Sequence, residues 1–169
     1  MTNSVSKRQD AVNRRTENGS SRTAAGDALS ELVVNVFRLD GLLTATGDSL
    51  AQPAGQTSAR WRVLATVDDG PATVAQVARA WGLARQSVQR VADVLVEERF
   101  CRYDENPGHR RAQFLRITPR GRRALRTIQA AQRTWADAMG AEIGETDLRH
   151  ANTVLARTIR ALTGQQPQG

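Results

Sequence analysis

The sequence is 169 residues long, the length of one ordinary domain or of one domain with additional helices. Its single cysteine excludes an internal disulfide and any cysteine-based metal cluster, and its two histidines give no zinc-ligand spacing, so no metal or cofactor is expected. Hydrophobic residues make up 40% of the chain but aromatic residues only 4%. Small aliphatic side chains must therefore fill the core, which favours helices.

The net charge of +7 is concentrated in one part of the chain. Residues 79–126 contain twelve arginines and five carboxylates, whereas residues 1–78 and 127–169 each sum to zero. Nearly all of the basic residues are arginine, whose planar guanidinium suits bidentate contacts with phosphates and base edges. A localised cationic segment of this kind indicates a nucleic-acid partner.

The first 26 residues are rich in Ser, Asn, Arg and Thr and have no apolar periodicity, so they are predicted to be a disordered tail. They lack the apolar core of a signal peptide, and no later run approaches the length that spans a membrane. We therefore expect a soluble cytoplasmic protein without a membrane partner.

Two helices are predicted next. From Ala28 onwards, apolar residues recur at spacings of three and four, which is one helical stripe, and Gly47 and residues 53–55 are expected to break it. A second helix is predicted from Ser58 to Val67. The apolar stripe of the first helix consists of Leu29, Leu32, Val36, Leu39 and Leu43.

The central segment has the pattern of a helix-turn-helix. Thr73 is a predicted N-cap for a helix from Val74 to Trp81, and Gly82 occupies the position of a left-handed C-cap. A second helix is predicted over residues 84–98. Its inward face is small and apolar and consists of Val88, Val91, Ala92 and Leu95.

A β-hairpin is predicted from residues 100–104 and 113–117, joined by the turn at residues 106–108. Thr118 and Pro119 then supply an N-cap and a first-turn proline for a long helix that ends near Glu142. A final helix, with Thr146 as its predicted cap, precedes a short tail at residues 164–169. The expected fold class is mainly α with a small β-hairpin.

The exposed face of the second helix of the helix-turn-helix has the chemistry of a major-groove reader. Arginine pairs with guanine and glutamine with adenine edges. A serine at the helix start is able to offer a phosphate its hydroxyl and its backbone N–H. The alternative is an ordinary solvated face. The predicted DNA-binding residues of this helix are Arg85, Gln86, Ser87, Gln89 and Arg90, with Asp93 on the same face.

The tip of the hairpin supplies a second cationic group. Arg110 and Arg111 follow the Pro-Gly turn, and an arginine in that place is suited to an adjacent narrow minor groove. His109 precedes them and is either a phosphate contact or an exposed bystander. A helix-turn-helix followed at once by such a wing strengthens the prediction of DNA binding.

Residues 73–125 resemble the MarR family of winged helix-turn-helix regulators. The resemblance rests on the wing segment 105–111 (Glu-Asn-Pro-Gly-His-Arg-Arg) and on segment 117–121 (Ile-Thr-Pro-Arg-Gly), which opens the long helix. It extends over roughly residues 28–163 and implies a homodimer on a pseudo-palindromic operator, more often a repressor than an activator. One departure is His109, which stands where the family has an acidic residue that orients the wing arginine. Here that arginine is either less firmly oriented or held by Asp104 or Glu105.

The resemblance also implies a division of the chain and an effector. The expected parts are a tail (1–26), an N-terminal dimerisation helix with linker (27–56), the winged helix-turn-helix (57–120), C-terminal dimerisation helices (121–163) and a tail (164–169). Many family members release DNA when a small aromatic or anionic compound binds. Arg38 and Trp61 are the candidate residues for such a compound, with core packing for Trp61 and a surface or dimer contact for Arg38 as the alternative. Cys101 is interpreted as a small buried hydrophobic residue, with a redox switch as the alternative.

Other functions fit the sequence less well. A non-specific architectural DNA-binding protein would share the arginine content but would not need a face rich in Arg and Gln. A winged-helix adaptor between proteins would need an acidic partner to match the concentrated positive charge. An enzyme is not expected, because the carboxylate pairs at residues 68–69 and 97–98 have no nucleophile, metal set or phosphate loop near them in the sequence.

Overall fold

The computed structural model describes residues 22–108 and 112–164 of the chain. These residues form six α-helices and three short strands. In chain order the elements are α1 (Ala24–Ala51), α2 (Ser58–Asp68), β1 (Ala72–Thr73), α3 (Val74–Trp81), α4 (Arg85–Glu97), β2 (Cys101–Asp104), β3 (Phe114–Ile117), α5 (Pro119–Ile143) and α6 (Glu145–Gly164). The mainly α fold with a β-hairpin is thus confirmed. None of the helices in these two ranges has the length and apolar content needed to cross a membrane.

The described residues divide into two compact units. Those up to Leu43 form the first unit, which contains most of α1, and those from Thr44 onwards form the second. In the first unit α1 leaves a series of large apolar side chains exposed, and Phe37 retains 74% of its accessible surface. The second unit contains the hydrophobic core.

The predicted helix break at Gly47 is wrong, because α1 continues through it to Ala51. Gly47 is buried, and a Cβ atom there would lie 2.9 Å from the Cβ of Ser58. The next residue, Asp48, accepts a 2.7 Å hydrogen bond from the backbone N–H of Ser58, which lowers the pKa of the Asp48 carboxyl. Gly47 therefore allows α2 to begin directly against the end of α1.

The core of the second unit is built from α2, α3, α4, the sheet and the first turns of α5. Helix α3 packs on α4, and α2 packs on α4, on α5 and on β3. Trp61 is half-buried and packs against this core. The fully buried residues with the largest side chains are Leu64, Leu95, Leu115, Leu125 and Ile128.

The sheet is antiparallel in the order β1-β3-β2, and it includes a strand that the sequence did not indicate. In β1, Ala72 pairs with Leu115 and Thr73 with Phe114. A strand of two residues cannot show the alternation by which a strand is recognised. Its effect is to attach the start of α3 to the wing.

The helix ends follow the predicted caps in all but one case. Thr73 forms a capping box with Gln76, Gly82 is left-handed with φ 62°, and Thr118 caps α5 at Gly121 N–H. The prediction for Thr146 is wrong, because α6 begins at Glu145 and Thr146 lies inside its first turn. Gly144, with φ 94°, is the residue that separates α5 from α6.

Candidate nucleic-acid interface

Helix α4 places most of its predicted DNA-binding residues at the surface. Arg85, Gln86, Ser87 and Arg90 are exposed, while Gln89 is half-buried. The opposite side of the helix is anchored in the core by Val88, Ala92 and Leu95, all of which are buried. The orientation of α4 is therefore fixed by packing, and a cationic, amide-bearing side faces solvent.

Ser87 offers less than the sequence indicated. Its backbone N–H donates to the carbonyl of Ala84 at 3.0 Å and is not available to a phosphate. The expectation of a phosphate contact through that N–H is therefore wrong. The exposed hydroxyl of Ser87 is the group that remains for such a contact.

Gln89 takes part in a network that the sequence did not reveal. Its amide nitrogen donates to Asp93 Oδ1 and to the Tyr103 hydroxyl, both at 2.8 Å. The Tyr103 hydroxyl in turn donates to Asp93 Oδ1 at 2.7 Å. The network joins α4 to strand β2 of the wing. Tyr103 lies in a short strand that gives no indication of its partner, so no sequence pattern could have identified it.

A cleft of about 250 Å³ lies beside this network, between α4 and the base of the wing. Arg85 of α4 and Gln113, which precedes β3, both line it. The remaining lining residues are Thr73, Val74, Ala75, Gln89, Asp93, Tyr103 and Ala112.

The wing carries a charged cluster on its two longer strands. Arg102 and Arg116 are cross-strand partners, and both bind Asp104, with Nε–Oδ distances of 3.0 Å from Arg102 and 2.7 Å from Arg116. The hydrogen bond from Arg116 is the main reason why the pKa of Asp104 is lowered. Asp104, one of the two candidates for orienting the wing arginine, thus already holds two other arginines.

Asn106 closes the loop at the end of the wing. Its Nδ2 donates to the carbonyl of Ala112 at 2.9 Å, and its Oδ1 accepts from the N–H of Gly108 at 3.1 Å. The predicted tip residues His109, Arg110 and Arg111 lie outside the described residues. Their role as a minor-groove probe stays a prediction.

Other arginines of the second unit support the scaffold. Arg60 forms a bidentate pair with Glu98, at 2.8 Å and 3.0 Å, which ties α2 to the end of α4. Arg62 lies 5.7 Å from the ring centroid of Trp81, whose Nε1 donates to Thr66 at 2.9 Å.

Two arginines of α5 also contribute to the scaffold. Arg122 binds Asp68 at 3.2 Å, and Arg120 stacks at 4.5 Å over the ring of Phe100. Part of the positive charge thus stabilises the fold, while Arg85 and Arg90 remain on the exposed side of α4.

The candidate effector residues belong to different units. Arg38 is exposed on α1 in the first unit, and Trp61 is half-buried in the second. The effector site stays a prediction. Cys101 is buried in the core as expected, and burial raises the pKa of its thiol to about 12.

Comparison with known proteins identifies the family. A sequence model of the MarR family matches residues 54–112. An uncharacterized protein of Mycobacterium tuberculosis is 37% identical over 141 residues, which are 83% of this chain and 99% of that protein. The chain belongs to the MarR family. It is a DNA-binding transcriptional regulator with a winged helix-turn-helix fold.

Two solved structures have a similar fold. MOSR of M. tuberculosis, solved in complex with DNA, has a TM-score of 0.65 at 21% identity, with 77% of this chain and 96% of that chain covered. CouR of Rhodococcus jostii RHA1, bound to p-coumaroyl-CoA, has a TM-score of 0.66 at 19% identity, with 80% and 93% covered. At these identities the similarity shows the fold alone.

Proposed function

We propose that this protein is a sequence-specific repressor that binds pseudo-palindromic double-stranded DNA as a homodimer. The observation that carries the proposal is the exposure of Arg85, Gln86 and Arg90 on α4, while Val88, Ala92 and Leu95 anchor the helix in the core. In a helix-turn-helix, this second helix enters the major groove with its N-terminal residues at the base edges. Arg85 and Gln86 are the first two residues of α4.

The side chains of α4 divide between base edges and phosphates. Arginine forms bidentate hydrogen bonds with guanine O6 and N7, so Arg85 and Arg90 are assigned to base edges. The hydroxyl of Ser87 is assigned to a phosphate, which positions the helix without reading sequence.

The wing extends the contact into the next minor groove. A narrow minor groove has an enhanced negative potential that attracts arginine, and Arg110 and Arg111 are assigned to it. Support comes from the sequence of the tip and from the hydrogen bond between Asn106 and Ala112, which joins the residues that precede and follow the tip. His109 beside these arginines is assigned to a phosphate contact.

Dimerisation provides the second half-site. Ile159 and Leu162 of α6 retain 63% and 58% of their accessible surface, and α1 exposes Phe37 and Leu42 to a similar degree. Exposed apolar side chains of this extent mark association surfaces. A two-fold dimer places its recognition helices about 34–36 Å apart, one turn of DNA. A dimer bound across a promoter represses by occupying the site where transcription would begin.

A small aromatic or anionic compound is proposed to release the repressor from DNA. CouR, which has a similar fold, was solved with p-coumaroyl-CoA, a compound that is both aromatic and anionic. In the second unit Trp61 offers an aromatic ring for such a compound, and Arg38 of the first unit is a separate candidate contact. Addition of aromatic acids to a protein–DNA complex, with and without Trp61→Leu, tests this part of the proposal.

Footprinting of the purified protein on the DNA that flanks its own gene tests the main proposal. We expect a symmetric protected site and binding that weakens steeply with salt. Arg85→Ala should weaken binding to that site about tenfold through a lost base contact. Arg133→Ala, on the exposed side of α5, removes the same charge and should change affinity less than about twofold.

The outcomes separate the two kinds of DNA binding. A protected site that is lost in Arg85→Ala but kept in Arg133→Ala supports specific regulation. Uniform coating of the DNA, with equal affinity for random sequence, would instead indicate the architectural alternative.

A further inference from the structure

The Gln89–Asp93–Tyr103 network lies on the side of α4 that is assigned to DNA. Arg85, Gln89 and Asp93 are spaced four residues apart and therefore follow one another along one side of the helix. Tyr103 comes from β2, so the network links the recognition helix to the wing. Its three distances, 2.8, 2.8 and 2.7 Å, are those of well-formed hydrogen bonds.

The chemistry of the three groups fixes which end of the Gln89 amide faces the network. An ionised carboxylate only accepts hydrogen bonds, so the Tyr103 hydroxyl hydrogen and the Gln89 amide both donate to Asp93. Because the hydroxyl hydrogen of Tyr103 is donated to Asp93, the Tyr103 oxygen acts as an acceptor and receives a hydrogen bond from Gln89 Nε2. The opposite orientation would direct Gln89 Oε1 at a carboxylate and is excluded. Burial and the bond to Asp93 raise the pKa of Tyr103, so the hydroxyl keeps its proton.

The orientation of the amide determines what Gln89 can offer to DNA. A free glutamine binds adenine with both amide ends, donating to N7 and accepting from the N6 amino group. Here Nε2 is turned towards Asp93 and Tyr103, and the carbonyl oxygen is the end that remains for a base. In the major groove, such an oxygen accepts hydrogen bonds from the exocyclic amino groups of the bases.

We propose that Asp93 and Tyr103 are positioning residues that make Gln89 a hydrogen-bond acceptor for one exocyclic amino group, N6 of adenine or N4 of cytosine. The inference rests on the proposed function, since it concerns how the recognition helix reads DNA. It also accounts for the presence of a carboxylate, Asp93, on the side of α4 that is assigned to DNA. Hydrogen bonds from Gln89 and Tyr103 occupy Asp93 Oδ1 and turn that charge towards the wing.

The test begins with the full-length protein and a pool of randomised double-stranded DNA. The wild-type protein selects a preferred sequence, and affinities are then measured for every single base-pair substitution in it. The base pair that Gln89 reads is the position at which Gln89→Ala loses its base preference. We expect the ratio of affinities for the preferred and substituted base pairs to fall about tenfold there. Tyr103→Phe keeps the aromatic ring and Asp93→Asn keeps the shape, and both should reduce the preference at that same position by at least about threefold.

Base analogues at that position distinguish the mode of contact. If the base is adenine, purine, which lacks the amino group, should weaken binding about tenfold, whereas 7-deazaadenine, which lacks N7, should bind like adenine. If the base is cytosine, 2-pyrimidinone, which lacks the N4 amino group, should weaken binding to the same degree. Gln86 is the matched control, because it is an exposed glutamine on the same helix. The base preference that Gln86→Ala removes should be unchanged in Tyr103→Phe.

The possible results distinguish failure of the positioning role from failure of sequence-specific DNA binding. Unchanged preference in Tyr103→Phe and Asp93→Asn, or equal losses with purine and 7-deazaadenine, would overturn the positioning role while leaving sequence-specific binding intact. A uniform loss of affinity on all sequences in Tyr103→Phe would mean that the residue is only structural. Failure of the wild-type protein to enrich any sequence would overturn the proposed function itself.

Discussion

At the scale of single residues, Gly121 is the described glycine at which an added Cβ atom would come closest to its neighbours. The first turn of α5 passes against the backbone of Phe100, and a Cβ atom on Gly121 would overlap the Phe100 carbonyl oxygen and lie 2.7 Å from Ile117 Cγ1. Thr118 fixes this arrangement, because its N–H donates to the Phe100 carbonyl at 3.0 Å while its hydroxyl caps the Gly121 N–H. The approach therefore cannot relax without breaking the start of α5.

Gly121→Ala should lower the free energy of unfolding by about 3 kcal/mol, as expected when a well-packed backbone contact is overfilled. Gly140→Ala, on the same helix, is the matched control, because a Cβ atom there meets nothing within 4 Å. That control should raise stability by about 0.5–1 kcal/mol, since alanine is the better helix former. Urea unfolding measures both changes. Equal stabilities of the two variants would show that the Phe100 contact is not rigid.

Residue-level features were predictable from the sequence only where a local pattern encodes them. The caps at Thr73 and Thr118 each satisfy backbone groups three residues away, so spacing alone reveals them. Gly47 was misread because its role depends on Ser58, which lies on the next helix. Tyr103 was missed for the same reason, since its partners Gln89 and Asp93 come from a different element.

At the scale of elements, α3 and α4 end in the same way but with different residues. At the end of α3, Leu83 N–H reaches back to Ala78 at 2.9 Å, and at the end of α4 Phe100 N–H reaches back to Leu95 at 2.8 Å. Both are Schellman motifs, which place one residue in the left-handed region. That residue is Gly82 after α3 and Arg99 after α4, each with φ 62°.

Exchanging the residue type at these two helix ends should change stability in opposite directions. Gly82→Ala should lower the free energy of unfolding, and Arg99→Gly should raise it, each by roughly 0.5–1 kcal/mol after the change in unfolded-chain entropy. No neighbour lies within 4 Å of a Cβ on Gly82, so the cost there comes from φ alone. Gly70→Ala, in a turn without positive φ, is the control and should not be destabilised. Denaturant unfolding measures the change in the free energy of unfolding for each variant. Changes of the same sign in Gly82→Ala and Arg99→Gly would contradict the explanation by left-handed backbone conformation.

Elements long enough to show a helical period were anticipated, and the shortest element was not. The apolar stripe of α4 and the Thr-Pro start of α5 placed those helices within about one residue. Strand β1 has two residues and exists through its pairing with β3, which is distant in sequence. Its contribution to the site is nevertheless direct, because it fixes Thr73 and the start of α3 at the edge of the cleft beside α4.

At the scale of the whole molecule, charge and apolar surface lie on different parts of the chain. The entire excess of basic over acidic residues falls within residues 79–126, which include α4 and the wing. The exposed large apolar side chains lie mainly on α1 and α6. Along the chain, this pattern keeps a cationic segment apart from segments with exposed apolar side chains, as expected for the proposed dimer on DNA.

Charge placed on the apolar side of α6 should therefore separate the subunits of the proposed dimer and, as a result, weaken DNA binding. In the double variant Ile159→Glu, Leu162→Glu, two exposed apolar side chains are replaced by carboxylates, and burying these at an interface would cost several kcal/mol. We expect a monomer in sedimentation velocity at micromolar concentration. We also expect at least a hundredfold weaker binding to an operator with two half-sites, because a monomer binds one half-site without a second, linked DNA-binding domain. Ala80→Glu, at an exposed position of α3, is the control for added charge and should remain dimeric. A double variant that still sediments as a dimer would place the subunit interface elsewhere.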